Sequence, residues 1–508
     1  MVDHLNDSII KSYHANNDIK ERSTQKPAKW WTKELEDAKR KAAAARKTCK
    51  KYPTDTNKER KRKCEKEYKR LIEKTKQQDW RDFCDKLENT AEIARLQKIM
   101  KKGKLNDIGT LVKDDQTYTS TKEDTLEELM TKLFPDCSSL EQDIDEIDEQ
   151  IERSPLYALN RRISQEEIEE ITDDRFIEEA IRGFSPFKSP GLDNIQPVHL
   201  QKGFVAIIPY LRQIYRTSLT EGRPANQWLN TKIVFIPKPG KVDYYHAKSF
   251  RPISLSSFVM KGLERIILWY IQDKHLKYNP LNENLFSYRT GVSTDTAIHR
   301  VVSDVEKALH NKKFALAVFL DISGAFSNSS QTAMINSLIR KGTDQQIVDW
   351  VSCLLTKRNA FASLGETGIM RRIRRGTAEG GILSPELWNM TASEALDKFD
   401  TRDPVKATGY ADDFNLLTIG DDIEMMRIQM QVAINMLCRW ALDNKLVFSA
   451  EKTKVMLFTR RIKNVTKPRL HLMGEELEYV DQFKYLGVIL DSKLKWTPHV
   501  LHQRAWKK

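Results

Sequence analysis

Thr408-Gly-Tyr-Ala-Asp412-Asp413-Phe-Asn-Leu-Leu-Thr-Ile419 sets two adjacent acids between β-prone, apolar flanks. The flanks read as short strands, with the acids at or near the hairpin tip that joins them. A second segment, Phe314-Ala-Leu-Ala-Val-Phe-Leu-Asp321-Ile-Ser-Gly-Ala-Phe326, is an apolar run that ends in an acid and then turns at glycine. It places one more carboxylate at the end of a buried strand. Unpaired carboxylates near a core are costly, so three of them imply a cation. Oxygen donors without His or Cys favour Mg²⁺ or Mn²⁺. The chain holds four Asp-Asp pairs, at 114–115, 173–174, 412–413 and 421–422. Three lie in polar, turn-like surroundings and need no function; only 412–413 is bracketed by strand formers. Spacing alone does not bring Asp321 to that pair.

Outward from these segments, the chain is 508 residues long with 40% hydrophobic residues. That excludes a wholly disordered chain and suggests about two to four units, or one large enzyme core with an extension. No apolar run approaches the ~20 residues of a membrane span. Met1-Val2-Asp3-His4 is polar and does not read as a signal peptide. Six cysteines, at 49, 64, 84, 137, 353 and 438, form no close pair, which fits a reducing intracellular setting. The formal net charge is +13, and residues 29–79 carry 19 Lys+Arg against 9 Asp+Glu, a local +10. Clustered basic charge suggests a polyanion partner, most simply nucleic acid, against the plain alternative of a solvated helix.

Residues 1–28 lack periodicity and are expected to be disordered. Residues 29–120 read as a basic helical connector, with Pro53 separating two long helices. Residues 121–163 turn acidic and read as a solvated helix and linker. Ser164-Gln165-Glu166-Glu167 resembles a capping box that opens one helix to about Gly183. Helices and short β-rich runs then alternate to about 490.

Tyr410-Ala411-Asp412-Asp413 resembles the YADD box of reverse transcriptases, and Phe319 to Phe326 resembles their first catalytic motif. Other motifs follow in the family's order. Phe250-Arg251-Pro252-Ile253-Ser254-Leu255, with Lys261 and Glu264, matches a fingers motif. Gly380-Gly381 to Ser384-Pro385 and Trp388-Asn389 matches the segment between the catalytic motifs. Asn444-Lys445-Leu446 to Lys452-Thr453-Lys454 matches the lysine-bearing motif, and Phe483 to Val488 the primer-grip hairpin. Lys188 to Asp193 and Trp228 to Gly240 are similar as well. The chain resembles the polymerase of non-LTR (LINE-type) retrotransposons of the jockey-like group, strongly over 165–490 and weakly near Trp30-Trp31.

The resemblance implies an α/β (α+β) right-hand polymerase fold, fingers and an antiparallel palm sheet over 164–490, with 491–508 as a truncated start of the thumb. It implies RNA-directed DNA polymerisation with an RNA template, a DNA primer or target and dNTPs as partners. Asp321, Asp412 and Asp413 would hold two Mg²⁺ ions (or Mn²⁺), with the Ile322 carbonyl as a further ligand. Arg251 would grip the triphosphate, assisted by Lys238. Phe326 would exclude a ribose 2′-hydroxyl. Lys452 would protonate pyrophosphate as a general acid. Gly381, Ser384 and Pro385 would floor the nascent base pair, and Tyr485, Leu486 and Gly487 would hold the primer. The family's mode of insertion implies a place in the nucleus as well as the cytoplasm. Two positions depart from the pattern: Glu379 stands where Gln is usual, and Ser327 where Asp is common. Those departures and the short C-terminus keep a non-catalytic, nucleic-acid-binding remnant as the rival reading. An RNA-templated RNA polymerase is the third, disfavoured by Phe326.

Overall fold

The computed structural model describes residues 1–16, 31–85, 108–138, 161–241, 243–322, 324–400, 402–461 and 465–506. They fall into two compact units, one of Met1–Tyr13 with Gly109–Lys508, the other of His14–Ile108. The larger unit is mixed α/β with mostly antiparallel sheets.

In the smaller unit, α2 (Lys33–Lys51) and α3 (Asp55–Asp85) lie against each other around the break at Pro53. Thr32 caps α2, and Leu35, Ala42 and Ala45 are its buried stripe. Small alanines allow close helix approach, and an Arg46–Glu65 ion pair at 2.6 Å joins the two helices. The remaining basic residues are mostly solvated.

The larger unit begins with α1 (Val2–Asn16), which corrects the disordered start expected for 1–28. Val2, Leu5 and Ile9 recur at helical spacing and are buried in the main core. Three apolar residues are a short signal, easily passed over in a polar segment. Residues 17–28 lie outside the described residues. The two helices expected around Pro53 are present, but the expectation for 108–133 is corrected. Leu111 is wholly buried, and α4 (Lys122–Leu133), capped by Thr121, buries Leu126, Leu129 and Met130. Its acids face outward and mask that apolar stripe in a composition count; 139–160 lie outside the described residues. The capping box at Ser164 and Glu167 forms, but its helix α5 (Gln165–Ile171) stops early. Asp173 then caps a separate helix, α6 (Asp174–Arg182). The expected single helix is therefore two, because Asp173 bonds the Arg175 amide instead of continuing the turn.

Strands β1 (Asn230–Pro237), β2 (Phe250–Leu255), β4 (Asn359–Leu364) and β5 (Thr367–Arg372) form a four-stranded sheet ordered β2-β1-β4-β5. Helix α4 packs on β5 and β4. Strand β3 (Phe314–Asp321) is the centre of a second sheet, with β6 (Val405–Tyr410), β7 (Asp413–Gly420), β8 (Lys454–Phe458) and β11 (Glu478–Tyr479), ordered β11-β8-β3-β7-β6. Successive β3 side chains serve two different cores. Leu316, Val318 and Leu320 join one cluster, and Ala315, Ala317 and Phe319 the other. A strand covered on both faces has no polar positions, which is why the run from Phe314 is continuously apolar. Short β9 (His471–Leu472) and β10 (Glu475–Glu476) pair beside it. A last hairpin, β12 (Gln482–Tyr485) and β13 (Val488–Asp491), precedes a helix at Thr497–Trp506. No helix among the described residues is long and apolar enough to cross a membrane. Cys49, Cys64, Cys137, Cys353 and Cys438 are free thiols.

Candidate active site

The two acidic segments meet. β3 and β7 are antiparallel neighbours whose register sets Asp321 directly opposite Asp413. The β6–β7 hairpin turns at Ala411-Asp412, with Tyr410 opposite Asp413. Ala411 adopts φ 53°, a left-handed turn that alanine disfavours by about 1–2 kcal/mol. Trp388 stabilises it: its indole Nε1–H donates to the Ala411 carbonyl at 2.9 Å from a wholly buried ring. The Ile322 amide donates to the Asp412 carbonyl at 3.3 Å, and the Ser449 amide to the Asp321 carbonyl at 3.0 Å. Backbone bonds thus tie the ends of β3, β7 and the chain before β8 together.

Burial raises the Asp412 carboxyl above its ordinary value, and the charge of Asp321 adds to it. Asp413 is pushed up to about 7, first by burial and then by Asp412 and Asp321. Lys452 opposes both, its ammonium 2.8 Å from Asp321 Oδ2. Among the described residues no group of three His, Cys, Asp or Glu is gathered into a metal cage. The donor set still suits a hard divalent cation. It is oxygen-only and partly buried, and it carries more negative charge than the one lysine offsets.

The other Asp-Asp pairs have local duties. Asp115 accepts from Thr117, Asp173 caps α6, and Asp422 caps α14 (Ile423–Asp443). Only Asp412-Asp413 has no such employment.

Arg251 and Lys238 come from the paired strands β2 and β1 and the turn after β1. Arg251 is exposed, opposite Ile236, and no carboxylate of the described residues stands within ion-pair distance. Lys238 Nζ donates to the Lys248 carbonyl at 3.0 Å, and burial followed by Arg251 lowers its pKa. Phe326 lies in α10 (Ala325–Asn328) with ring centroids 6.2 Å from Tyr288 and 6.1 Å from Trp388. It is half-buried, with one side on the core.

Ser384 is buried at the start of α13 (Ser384–Leu396), its hydroxyl bonded to the Ala378 carbonyl at 2.7 Å and to Thr377 at 2.8 Å. Pro385 occupies the first turn of that helix, where its missing amide costs nothing. Gly381 bonds the Ala378 carbonyl. These residues shape the loop from beneath. Tyr485 is buried under β3, 5.1 Å from the Phe319 ring, so it anchors its hairpin. Leu486 and Gly487, at φ 47° and 92°, form the turn.

Sequence reading assigned no role to Trp388 and did not find Tyr288. Trp388 was visible only as one letter of a motif; its bond to Ala411 depends on a helix far away in sequence. Tyr288 belongs to no periodic pattern, yet Asp412 and Glu379 both act on its hydroxyl.

Residues 236–490 match the family model for reverse transcriptase (RNA-dependent DNA polymerase). The chain belongs to that family. It is 30% identical over 329 residues to a probable RNA-directed DNA polymerase from transposon BS of Drosophila melanogaster, covering 64% of this chain and 36% of that protein. It is 27% identical over 327 residues to the RNA-directed DNA polymerase from mobile element jockey of the same species, with 63% and 35% covered. A Pol polyprotein from type-1 retrotransposable element R1 of Bradysia coprophila is 25% identical over 448 residues, covering 87% of this chain and 42% of that protein. The chain thus spans well under half the length of these relatives.

Proposed function

We propose that this chain extends a DNA primer on an RNA template as the polymerase of a non-LTR retrotransposon. The observation that carries the reading is the register of β3 and β7, which sets Asp321 against Asp413 with Asp412 beside them. The five-stranded sheet is the palm, and the four-stranded sheet with its helices is the fingers. The two units recur in the proposed division of labour, the basic α2–α3 hairpin serving as an extension that meets nucleic-acid phosphate.

Asp321, Asp412 and Asp413, with the Ile322 carbonyl, would hold Mg²⁺ or Mn²⁺, which would supply Lewis acidity to the primer hydroxyl and to the phosphates. The primer 3′-oxygen attacks the α-phosphorus of the dNTP. The bridging P–O bond breaks, and pyrophosphate leaves. Arg251 and Lys238 bind the β- and γ-phosphates and orient them. Lys452, positioned by Asp321, gives a proton to the leaving pyrophosphate. Phe326, backed by Tyr288 and Trp388, closes the space beside the sugar and selects deoxyribose. Gly381 and the Ser384-Pro385 turn support the base pair. The Leu486-Gly487 turn holds the primer, and Tyr485 fixes that turn from below.

Primer extension tests the reading, with oligo(dT) on poly(rA), dTTP and Mg²⁺ or Mn²⁺. Incorporation that vanishes in Asp412→Asn/Asp413→Asn is the expected result. A folded chain that binds template–primer and incorporates nothing would overturn the polymerase and leave a binding protein.

A further inference from the structure

Tyr288 is a bulky residue in a backbone conformation that bulky residues avoid. Its φ is 52°, and the residue is 51% exposed, so its own burial does not hold it there. The residues on either side do. Ser287 is wholly buried; its hydroxyl donates to Asn389 Oδ1 at 2.9 Å, and the Asn389 side-chain amide donates back to the Ser287 carbonyl at 2.8 Å. Asn389 follows Trp388 in α13, the helix whose indole holds the Ala411 turn. The Arg289 guanidinium donates to the Asn282 and Leu285 carbonyls, each at 2.8 Å. Just upstream, Leu285 forms a parallel bridge with Gly409. The Phe286 amide donates to the Gly409 carbonyl and the Gly409 amide to the Asn284 carbonyl, both at 2.9 Å. Residues 284–286 are therefore an added edge on β6. They run in the same direction as the strand that leads into Ala411-Asp412, which carries Tyr288 to the level of the acids. There its ring meets Phe326 edge-on, with centroids 6.2 Å apart and planes at 79°. A strained backbone persists where the surrounding structure over-determines it, and such residues gather at functional sites.

We propose that Tyr288 is a positioning residue for sugar selection: its ring braces Phe326 from the cleft, and the clamped left-handed turn fixes the brace. The inference rests on reading Phe326 as the wall beside the sugar. A wall rejects a 2′-hydroxyl only as firmly as it resists displacement, and a phenyl ring on a four-residue helix turns between rotamers unless neighbours stop it. Trp388, wholly buried, meets Phe326 from the core at 6.1 Å. Tyr288, half exposed, meets it from the other side. The two rings together leave Phe326 one place to stand.

Extension of oligo(dT) on poly(rA) with UTP and with dUTP isolates the sugar, since these nucleotides differ only at the 2′ position. The readout is the ratio of their kcat/KM values. Tyr288→Gly removes the ring and suits the left-handed turn, so folding is not put at risk. Tyr288→Asn, also tolerant of that conformation, is the second variant. Both should raise the UTP-to-dUTP ratio roughly three- to tenfold. Tyr288→Phe keeps the ring and should hold the wild-type ratio. In a Phe326→Val background, Tyr288→Gly should add less than about twofold, because the brace has nothing left to hold. An unchanged ratio in Tyr288→Gly and Tyr288→Asn overturns the proposal. So does Tyr288→Phe as permissive as Tyr288→Gly, or a full further increase in the Phe326→Val background. Failure of the underlying reading looks different, and it removes the brace with the wall: wild type would incorporate neither nucleotide, or Phe326→Val would leave the ratio unchanged.

Discussion

Asp413 shows how a functional residue works against the fold that carries it. Burial and two neighbouring acids push its carboxyl up to about 7, well above its unfolded value. A carboxyl whose pKa is raised on folding costs nothing below its unfolded value, and the cost grows as pH rises from there through the folded value. At pH 8 without divalent metal, Asp413→Asn should therefore raise stability, by on the order of 1–3 kcal/mol, and it should abolish primer extension. Thermal unfolding in EDTA at pH 8 and at pH 4 checks it, with the gain large at pH 8 and nearly gone at pH 4. A variant no more stable than wild type at pH 8 would show that Lys452 already neutralises the site. Phe326 offers a second test at this scale. Its ring rests on Tyr288 and Trp388, so Phe326→Val opens space without removing a hydrogen bond. The expected outcome is a ribonucleotide-to-deoxyribonucleotide incorporation ratio at least roughly tenfold higher, since rejection by a wall is lost when the wall is cut back. An unchanged ratio assigns Phe326 to packing alone.

At the scale of elements, the strands carrying the acids were legible because their chemistry is local. An apolar run ending in Asp321, and β-formers around Asp412-Asp413, state both strand and site in a dozen residues each. Long-range support was not legible. Nothing near Trp388 indicates that its indole holds the Ala411 turn, and nothing near Ser327 indicates that it meets Glu379. α1 and α4 were lost for another reason. Each shows the core only a narrow apolar stripe, and a polar remainder dominates any window average. Two substitutions separate these cases. Trp388→Phe keeps most of the buried volume but leaves the Ala411 carbonyl unpaired at a strained turn, which should cost about 1–3 kcal/mol and slow extension while template–primer affinity holds. Single-turnover rates beside equilibrium binding decide it, and equal losses in both would deny the turn a role in positioning the acids. Leu5→Ala in α1 should cost about 2–3 kcal/mol in unfolding of the larger unit, since Leu5 is core and not tail. No loss would return the segment to a solvated arm.

On the scale of the larger unit, one buried acid ties distant stretches of chain together. Asp344 is wholly buried at the start of α12 (Gln345–Thr356). Arg161 Nε reaches its Oδ1 at 2.9 Å, the Tyr270 hydroxyl its Oδ2 at 2.8 Å, and His275 Nε2 the same oxygen at 3.0 Å. Arg161 also forks onto Glu167, which closes the capping box of α5. Three stretches separated in sequence, at Arg161, at Tyr270 with His275, and at Asp344, thus meet at one carboxylate, and none of these residues belongs to a recognisable motif, so the cluster lies beyond sequence reading. Burial alone would raise the Asp344 pKa, but the bonds from His275, Arg161 and Tyr270 outweigh it and hold the carboxyl below its ordinary value. A depressed carboxyl binds more protons unfolded than folded, so its stabilisation is full above the ordinary aspartate value of about 3.9 and is lost as pH falls through the lower folded value. Asp344→Asn should therefore cost about 1–3 kcal/mol at pH 7, because the buried bonds from Tyr270, His275 and Arg161 lose their charged acceptor. It should also flatten the acid limb of the stability curve. Chemical unfolding of wild type and variant at pH 7, and in steps from pH 5 to pH 3, reads both effects. The two curves should converge as the pH falls, since wild type then loses what the variant never had; parallel curves would place the acid sensitivity in other carboxylates and reduce Asp344 to a packing residue.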